Sequence, residues 1–225
     1  MNPHLDFLLS SLYDGTGLHP EHAADLSKSG LTRDTIEAQK IRTIPPHMID
    51  LLLGFSAPKV QSAYLLPFPD PRGGWFDHVR LKVFPTITTD AGTIKYLQPK
   101  RSGVRVFFPL ATLAAVLHSA DSLYIVEGEK KALAVAQLGV PACGICGIEG
   151  WHVSGSRALH PDLDDVGLRG RVVKVIPDAD YRTNPAVHGA VRRLADALSD
   201  RGATAQLVRV PDGYKGIDDW LAARS

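Results

Sequence analysis

From residue 121 onward the chain alternates short apolar runs with helix-patterned stretches, and this rhythm limits its fold more than any other feature. Leu123–Val126 is a short apolar run, and Glu129–Leu138 carries Ala132, Val135 and Ala136 on one stripe before the natural stop Gly139. Pro141–Cys146 and Val172–Ile176 are two more apolar runs, the first followed by a loop containing Gly147, Gly150 and Gly155. Pro185 opens a helix in which Val187, Ala190, Val191, Leu194, Ala197 and Leu198 fall at i, i+3, i+4, i+7, i+10 and i+11. Gly202 ends it, and Ala205–Val210 is a fourth strand. Strands separated by helices pair in parallel through crossovers. The pattern therefore predicts an α/β unit, a parallel four-stranded sheet with flanking helices.

Upstream the rhythm differs. The first ~60 residues read as short helices: Glu21–Ser29 ending at Gly30, a second helix behind the N-cap Thr32, and apolar Met48–Phe55 after Pro45-Pro46. Ala63–Phe68, Trp75–Phe84, Thr93–Leu97 and Val104–Phe108 then alternate with turn-forming segments. They predict an antiparallel meander with Arg80 and Lys82 on one basic face. Leu110–Ala120 follows as a helix. The boundary between a smaller helical and antiparallel β unit, residues 1–118, and the α/β unit, residues 119–225, is expected here.

The net charge of +1 decides nothing, but its distribution does. Arg72, Arg80, Lys82, Lys95, Lys100, Arg101 and Arg105 face only Asp77 and Asp90 across the middle of the chain, and acids gather later. A basic middle beside an acidic half suits a protein that holds a polyanion and places cations on it. A merely solvated Lys/Arg face is the competing explanation. Trp75, Phe76, Tyr96, Phe107 and Phe108 interleave with the basic residues, as base-stacking platforms or as core. No apolar run approaches the ~20 residues of a membrane span. The opening MNPHLDFLLS lacks the pattern of an export signal, so a cytoplasmic address is expected.

In an open parallel sheet, ligands bind beyond the carboxyl ends of the strands. The first strand there ends in Glu127-Gly128-Glu129-Lys130-Lys131, the third in Asp178-Ala179-Asp180, and the fourth leads to Lys215-Gly216-Ile217-Asp218-Asp219. Asp178 and Asp180, two apart, would share a side if the chain stays extended. Such carboxylates repel one another without a cation, and hard oxygen ligands suit Mg²⁺ or Mn²⁺. Helix capping explains any one of these clusters, and all three together poorly.

An apolar strand ending in Glu127-Gly128, then a helix, then an apolar strand ending in Asp178-x-Asp180, resembles the TOPRIM domain of bacterial-type primases, topoisomerases and some nucleases. Within that superfamily the chain is similar to phage and plasmid primase-like proteins carrying the DUF3854 domain. The likeness rests on Val126-Glu-Gly-Glu-Lys-Lys-Ala132, Gly147-Ile-Glu-Gly-Trp151, Lys95-Tyr-Leu-Gln-Pro-Lys100 and the His22–Leu31 stretch. The resemblance implies a metal-dependent nucleotidyl or phosphoryl transfer on nucleic acid, most simply primer synthesis on single-stranded DNA from nucleoside triphosphates. A TOPRIM nuclease and a non-catalytic single-strand-binding accessory are the alternatives. It further implies Glu127 as metal ligand or general acid/base, Asp178 and Asp180 as metal ligands, and Asp218 and Asp219 supporting a second ion. Lys130 and Lys131, in the first turn of a helix, would meet phosphates in the catalytic centre. Arg72, Arg80, Lys82, Lys95, Lys100, Arg101, Arg105 and Lys215 would grip nucleic acid, with Trp151 and His152 as nucleotide contacts.

Departures narrow the reading. Cys143-x-x-Cys146 has no second ligand pair, so no zinc site is expected, and two small residues in a buried strand explain it better. The remaining histidines read as scattered. The P-loop pattern is absent, so a helicase would act in trans.

Overall fold

A computed structural model describes residues 17–90 and 92–224. Segment 1–16, on which the export-signal reading rests, lies outside the described residues, as does Ala91 in the expected turn at 90–92. Two four-stranded sheets organise the chain.

The first sheet is antiparallel, in the order β1-β2-β3-β4, with β1 Arg42–Ile44, β2 Ser62–Pro69, β3 Trp75–Thr89 and β4 Gly92–Leu97. Helices α1 (Pro20–Ser27), α2 (Arg33–Ala38) and α3 (Pro46–Leu53) accompany it. The expected cap is present, since Thr32 accepts a hydrogen bond from the Thr35 amide at 3.2 Å. The three-residue β1 is too short to carry a readable alternation and was not foreseen. Val104–Phe108 is not a strand. Only Phe107 pairs there, as an isolated bridge to Gly144 with both N–O distances 2.8 Å. That apolar run serves burial rather than a ladder: Val106, Phe107 and Phe108 are core residues.

The second sheet is parallel, ordered β6-β5-β7-β8, from β5 Leu123–Glu127, β6 Ala142–Ile145, β7 Val172–Ile176 and β8 Thr204–Leu207. Around it lie α4 (Leu113–His118), α5 (Glu129–Ala136), α6 (Pro185–Asp200) and α7 (Ile217–Ala222). Residues 110–112 ahead of α4 form a 3-10 turn, so the expected single helix is shorter than its pattern. In α6 the predicted stripe Val187, Ala190, Val191, Leu194, Ala197 and Leu198 is the buried set. The mixed α/β architecture read from the sequence is the one observed. Among the described residues, no helix is long and apolar enough to cross a membrane.

The two faces of the antiparallel sheet have different coverings. Ala63, Leu65, Val79, Leu81 and Val83 pack with Ile49, Leu52 and Leu53 of α3 in a small cluster. On the other face Tyr64, Leu66 and Phe68 join one large cluster that continues through Phe107 and Phe108 to Ile125, Val126, Val173 and Val175. Each such fully buried large side chain contributes roughly 1.5–3 kcal/mol, so this shared cluster binds one sheet firmly to the other. Strand alternation then turns Arg80 and Lys82 toward the same side as Leu66 and Tyr64, their register partners. The basic face of the meander is not a solvated outer surface; it faces the parallel-sheet half.

Candidate functional site

The site begins where β5 hands over to α5. Gly128, with φ +100°, makes the reversal that a residue with a Cβ would adopt only under strain. The three charged residues that follow diverge to three partners. Glu129 accepts from Arg80 Nη1 at 2.6 Å. Lys130 Nζ donates to Asp25 Oδ2 at 3.2 Å. Lys131 Nζ lies 2.8 Å from Asp178 Oδ1. One turn of helix thereby touches α1, the antiparallel sheet and the loop after β7.

Glu127 Oε1 accepts the Asp178 amide at 2.9 Å, which places these two acids side by side. Gly216 completes the cluster, because a Cβ there would stand 2.3 Å from Lys131 Cε and 2.6 Å from Asp218 Oδ1. Only glycine lets the lysine stem and that carboxylate come together. Asp218 is 7% exposed, and its Oδ1 has no hydrogen-bond partner among the described residues. Asp219 instead caps its own helix, accepting the Gly216 amide at 3.0 Å. The Lys215 carbonyl accepts the Ala179 amide at 2.8 Å and ties the two loops together. Asp180 departs from the extended geometry expected of it. The chain enters a 3-10 turn at Ala179–Arg182, which leaves Asp180 exposed beside the cluster.

The electrostatics are those of a site with excess acid. Burial raises the Glu127 pKa; the Asp178 and Asp180 charges add to this, while the Asp178 amide and Lys131 oppose it. Burial likewise raises Asp178, against the pull of Lys131 and Lys215. Burial would lower Lys131, but Asp178, Asp218 and Glu127 outweigh it and hold the ammonium charged. Raised carboxyl pKa values and an orphaned buried oxygen are what a divalent cation would relieve, and the all-oxygen donor set suits Mg²⁺ or Mn²⁺. In the present arrangement Lys131 takes that charge. The one group of three ligand atoms within 4.8 Å of one another, among the described residues, is His19, Glu21 and His22. The histidines are therefore not all scattered. Both ring nitrogens of His22 already meet hydroxyls, Thr43 at 2.8 Å and Ser62 at 3.2 Å, which accounts for its burial.

Beside this edge, between the antiparallel sheet and α5, lies a largely buried polar cluster. Cross-strand pairing puts Tyr64, Lys82 and Tyr96 in one row. Lys82 is 6% exposed, with Nζ 4.2 Å from the Phe84 ring centre. Burial lowers its pKa, Asp25 opposes this, and the Lys130 and Lys95 charges add to it. Arg80 stacks on Tyr96 at 4.7 Å, its side chain 15% exposed against 4% for its partner Glu129. Asp25 and Tyr64 were not foreseen. Tyr64 Oη donates to Asp25 Oδ2 at 2.8 Å, so Asp25 joins the polar cluster to Lys130. Nothing local in the sequence marks either residue.

Other basic residues lie elsewhere. Lys95, Lys100 and Arg101 are exposed. Arg72 pairs with Asp165 at 2.9 Å and Arg105 with Asp162 at 2.8 Å, so neither joins the Tyr64–Lys82–Tyr96 row. Trp151 is 2% exposed, its ring part of the large core cluster and unavailable to a base. His152 is half-buried against it and lies 3.3 Å from Glu149. Cys143 is buried, with its thiol pushed up to about 12 by that burial, and both cysteines are free.

Residues 114–225 match the family model of DUF3854, a domain of unknown function. The structure is similar to the zinc-binding and RNA polymerase domains of the Aquifex aeolicus primase, with TM-score 0.68 and 14% identity, covering 98% of this chain and 57% of that one. It is similar to the DnaG catalytic core, with TM-score 0.65 and 18% identity, over 99% of this chain and 74% of that one. The primase fragment of the bacteriophage T7 primase-helicase protein matches with TM-score 0.51 and 12% identity, over 86% of this chain and 66% of that one. The chain thus spans little more than half of the first of these structures. No curated protein sequence matched. In class, the fold is that of a primase catalytic core.

Proposed function

We propose that the protein is a primase-like nucleotidyltransferase, which synthesises primers on single-stranded DNA from nucleoside triphosphates. The observation that carries this reading is the meeting of Glu127, Asp178 and Asp218 around Lys131 at the carboxyl edge of a TOPRIM-type sheet. Residues 1–118 would serve as the nucleic-acid-binding unit and 119–225 as the catalytic domain. A phage or plasmid replication system and a helicase in trans complete the proposal.

Asp178 and Asp180 would hold Mg²⁺ or Mn²⁺, with Glu127 either a further ligand or the general acid/base, and Asp218 and Asp219 near a second ion. Bound there, the ions would neutralise triphosphate charge and lower the barrier to attack by a 3′-hydroxyl. The chain's own groups do the rest. Lys131, already charged at Asp178, is within a side-chain swing of any phosphate that approaches the acids. Lys130 and Lys82, in the inward-facing polar cluster, would add positive potential toward the backbone of the strand. Where Glu127 does not hold the ion, its place beside Asp178 suits it to take and pass the proton of the attacking hydroxyl. Lys95, Lys100, Arg101 and Lys215, all exposed, add long-range attraction for phosphates. Positioning supplies most of the rate.

The test is incubation of the full chain with labelled single-stranded DNA and Mg²⁺ or Mn²⁺, with and without the four nucleoside triphosphates. Nucleotide-dependent new strands support the proposal. Shortening of the DNA without nucleotides would mean a nuclease, and binding without either reaction would mean an accessory module.

A further inference from the structure

None of the residues used above lines the cavity just beyond the carboxyl ends of β7 and β8. It measures about 540 Å³, within the range of small-molecule sites, and its walls include Tyr181, Arg182, His188, Arg209, Val210 and Asp212. Arg182 hydrogen-bonds both the Val210 carbonyl and the Asp212 carboxylate. It thereby ties the segment after β8 to the 3-10 turn after β7, and the cavity has a braced frame. The rings of Tyr181 and His188 lie 4.4 Å apart, tilted by 39°, and make an aromatic wall. Asp212 is the one acid among the lining residues, and Arg182 already meets its charge. Arg209 is exposed and makes no ion pair among the described residues. An unmatched guanidinium thus stands beside an aromatic wall whose Tyr181 is three residues along the chain from Asp178.

We infer that this cavity holds one nucleotide unit, its base against Tyr181 and His188 and its phosphate on Arg209. Stacking on an aromatic face accepts any base, and the guanidinium fork fits phosphate oxygens. The inference rests on the nucleic-acid reading above and deepens it by naming where one unit of substrate is held. That unit is either a free nucleoside triphosphate or one residue of a strand, and the two share this chemistry.

The test uses the full chain in buffer with a chelator, so that binding is read apart from metal-dependent turnover. Two probes are titrated by fluorescence anisotropy: a labelled nucleoside triphosphate and a short labelled oligothymidylate. Arg209→Ala and His188→Ala should each weaken at least one probe by about fivefold or more. Arg209→Lys should recover part of the loss. Arg201→Ala, whose side chain pairs with Asp164 instead, should bind as wild type. Loss confined to the triphosphate identifies an incoming-nucleotide site, and loss confined to the oligonucleotide a strand site. Wild-type hydrogen exchange supplies a second readout, since the bound probe should slow exchange of the amides at 208–210 and 212. Variants that bind both probes within twofold of wild type, or exchange that does not change, would overturn the inference. A chain without polymerase activity whose Arg209→Ala variant still loses binding would refute the proposed reaction and leave the cavity assigned.

Discussion

Removing the Glu129 carboxylate tests whether the first turn of α5 really bolts the two sheets together. The pair it forms with Arg80 is 2.6 Å long, and the two side chains are only 4% and 15% exposed. Burial acts against the Arg80 charge, and the Glu129 charge overcomes it, so the arginine is held protonated inside. In Glu129→Ala that guanidinium keeps only its stacking on Tyr96, at 4.7 Å, and its Nε already lacks a partner among the described residues. Deleting one member of a buried pair costs about 3–5 kcal/mol, because the other charge stays desolvated. For a chain of this size each kcal/mol moves the midpoint by roughly 2–4 °C, so the variant should melt about 6–20 °C lower. Circular dichroism melts at fixed pH and salt read this directly. The double variant Arg80→Met with Glu129→Leu should recover most of the loss, since an apolar pair of similar volume carries no stranded charge. A single variant that melts within about 2 °C of wild type would refute the reasoning, because the pair would then be solvated and worth no more than a surface contact.

Other outcomes follow from the same geometry. Glu127→Gln keeps the size of the side chain but cannot take up a proton, so nucleic-acid binding should persist while turnover falls ~10²-fold or more in primer-synthesis assays. Asp178→Asn combined with Asp180→Asn should abolish Mn²⁺ binding by calorimetry with the fold retained by circular dichroism; unchanged binding would remove these acids from the metal site. Alanine at Lys95, Lys100 and Arg101 together should weaken single-strand binding and flatten its salt dependence by roughly 0.7 per lost phosphate contact. Asp162 is buried, which alone would raise its pKa, but His160, the Val106 amide and Arg105 outweigh this and lower it. A depressed folded-state value means stability that is full above the ordinary aspartate range and lost as pH falls through the folded value. Denaturant titrations below about pH 4 should therefore show a shallower acid loss for Asp162→Asn than for wild type.

Short-range physics wrote much of this molecule legibly into the chain. The stripe Val187 to Leu198 announces α6, because a 3.6-residue period has one meaning when six positions agree. The parallel sheet follows from strands interrupted by helices, and the acids at its edge follow from the ends of those strands. Lys131 stood next to the right cluster for the same local reason. What the sequence could not reveal was the covering of each face. Alternation in Phe76–Phe84 sorts Arg80 and Lys82 onto one side, yet a basic side looks alike whether water or another sheet lies beyond it. Only the packed structure turned it inward. The same holds for Tyr64 with Asp25, 39 residues apart, and for Lys130 with Asp25, 105 residues apart. It holds equally for Trp151, an aromatic beside glycines that proved to be core. Helix and strand periods are set by backbone geometry over a few residues, and so they survive in sequence. Which charge meets which is set by how the shared hydrophobic cluster closes, and that closure exists only in three dimensions.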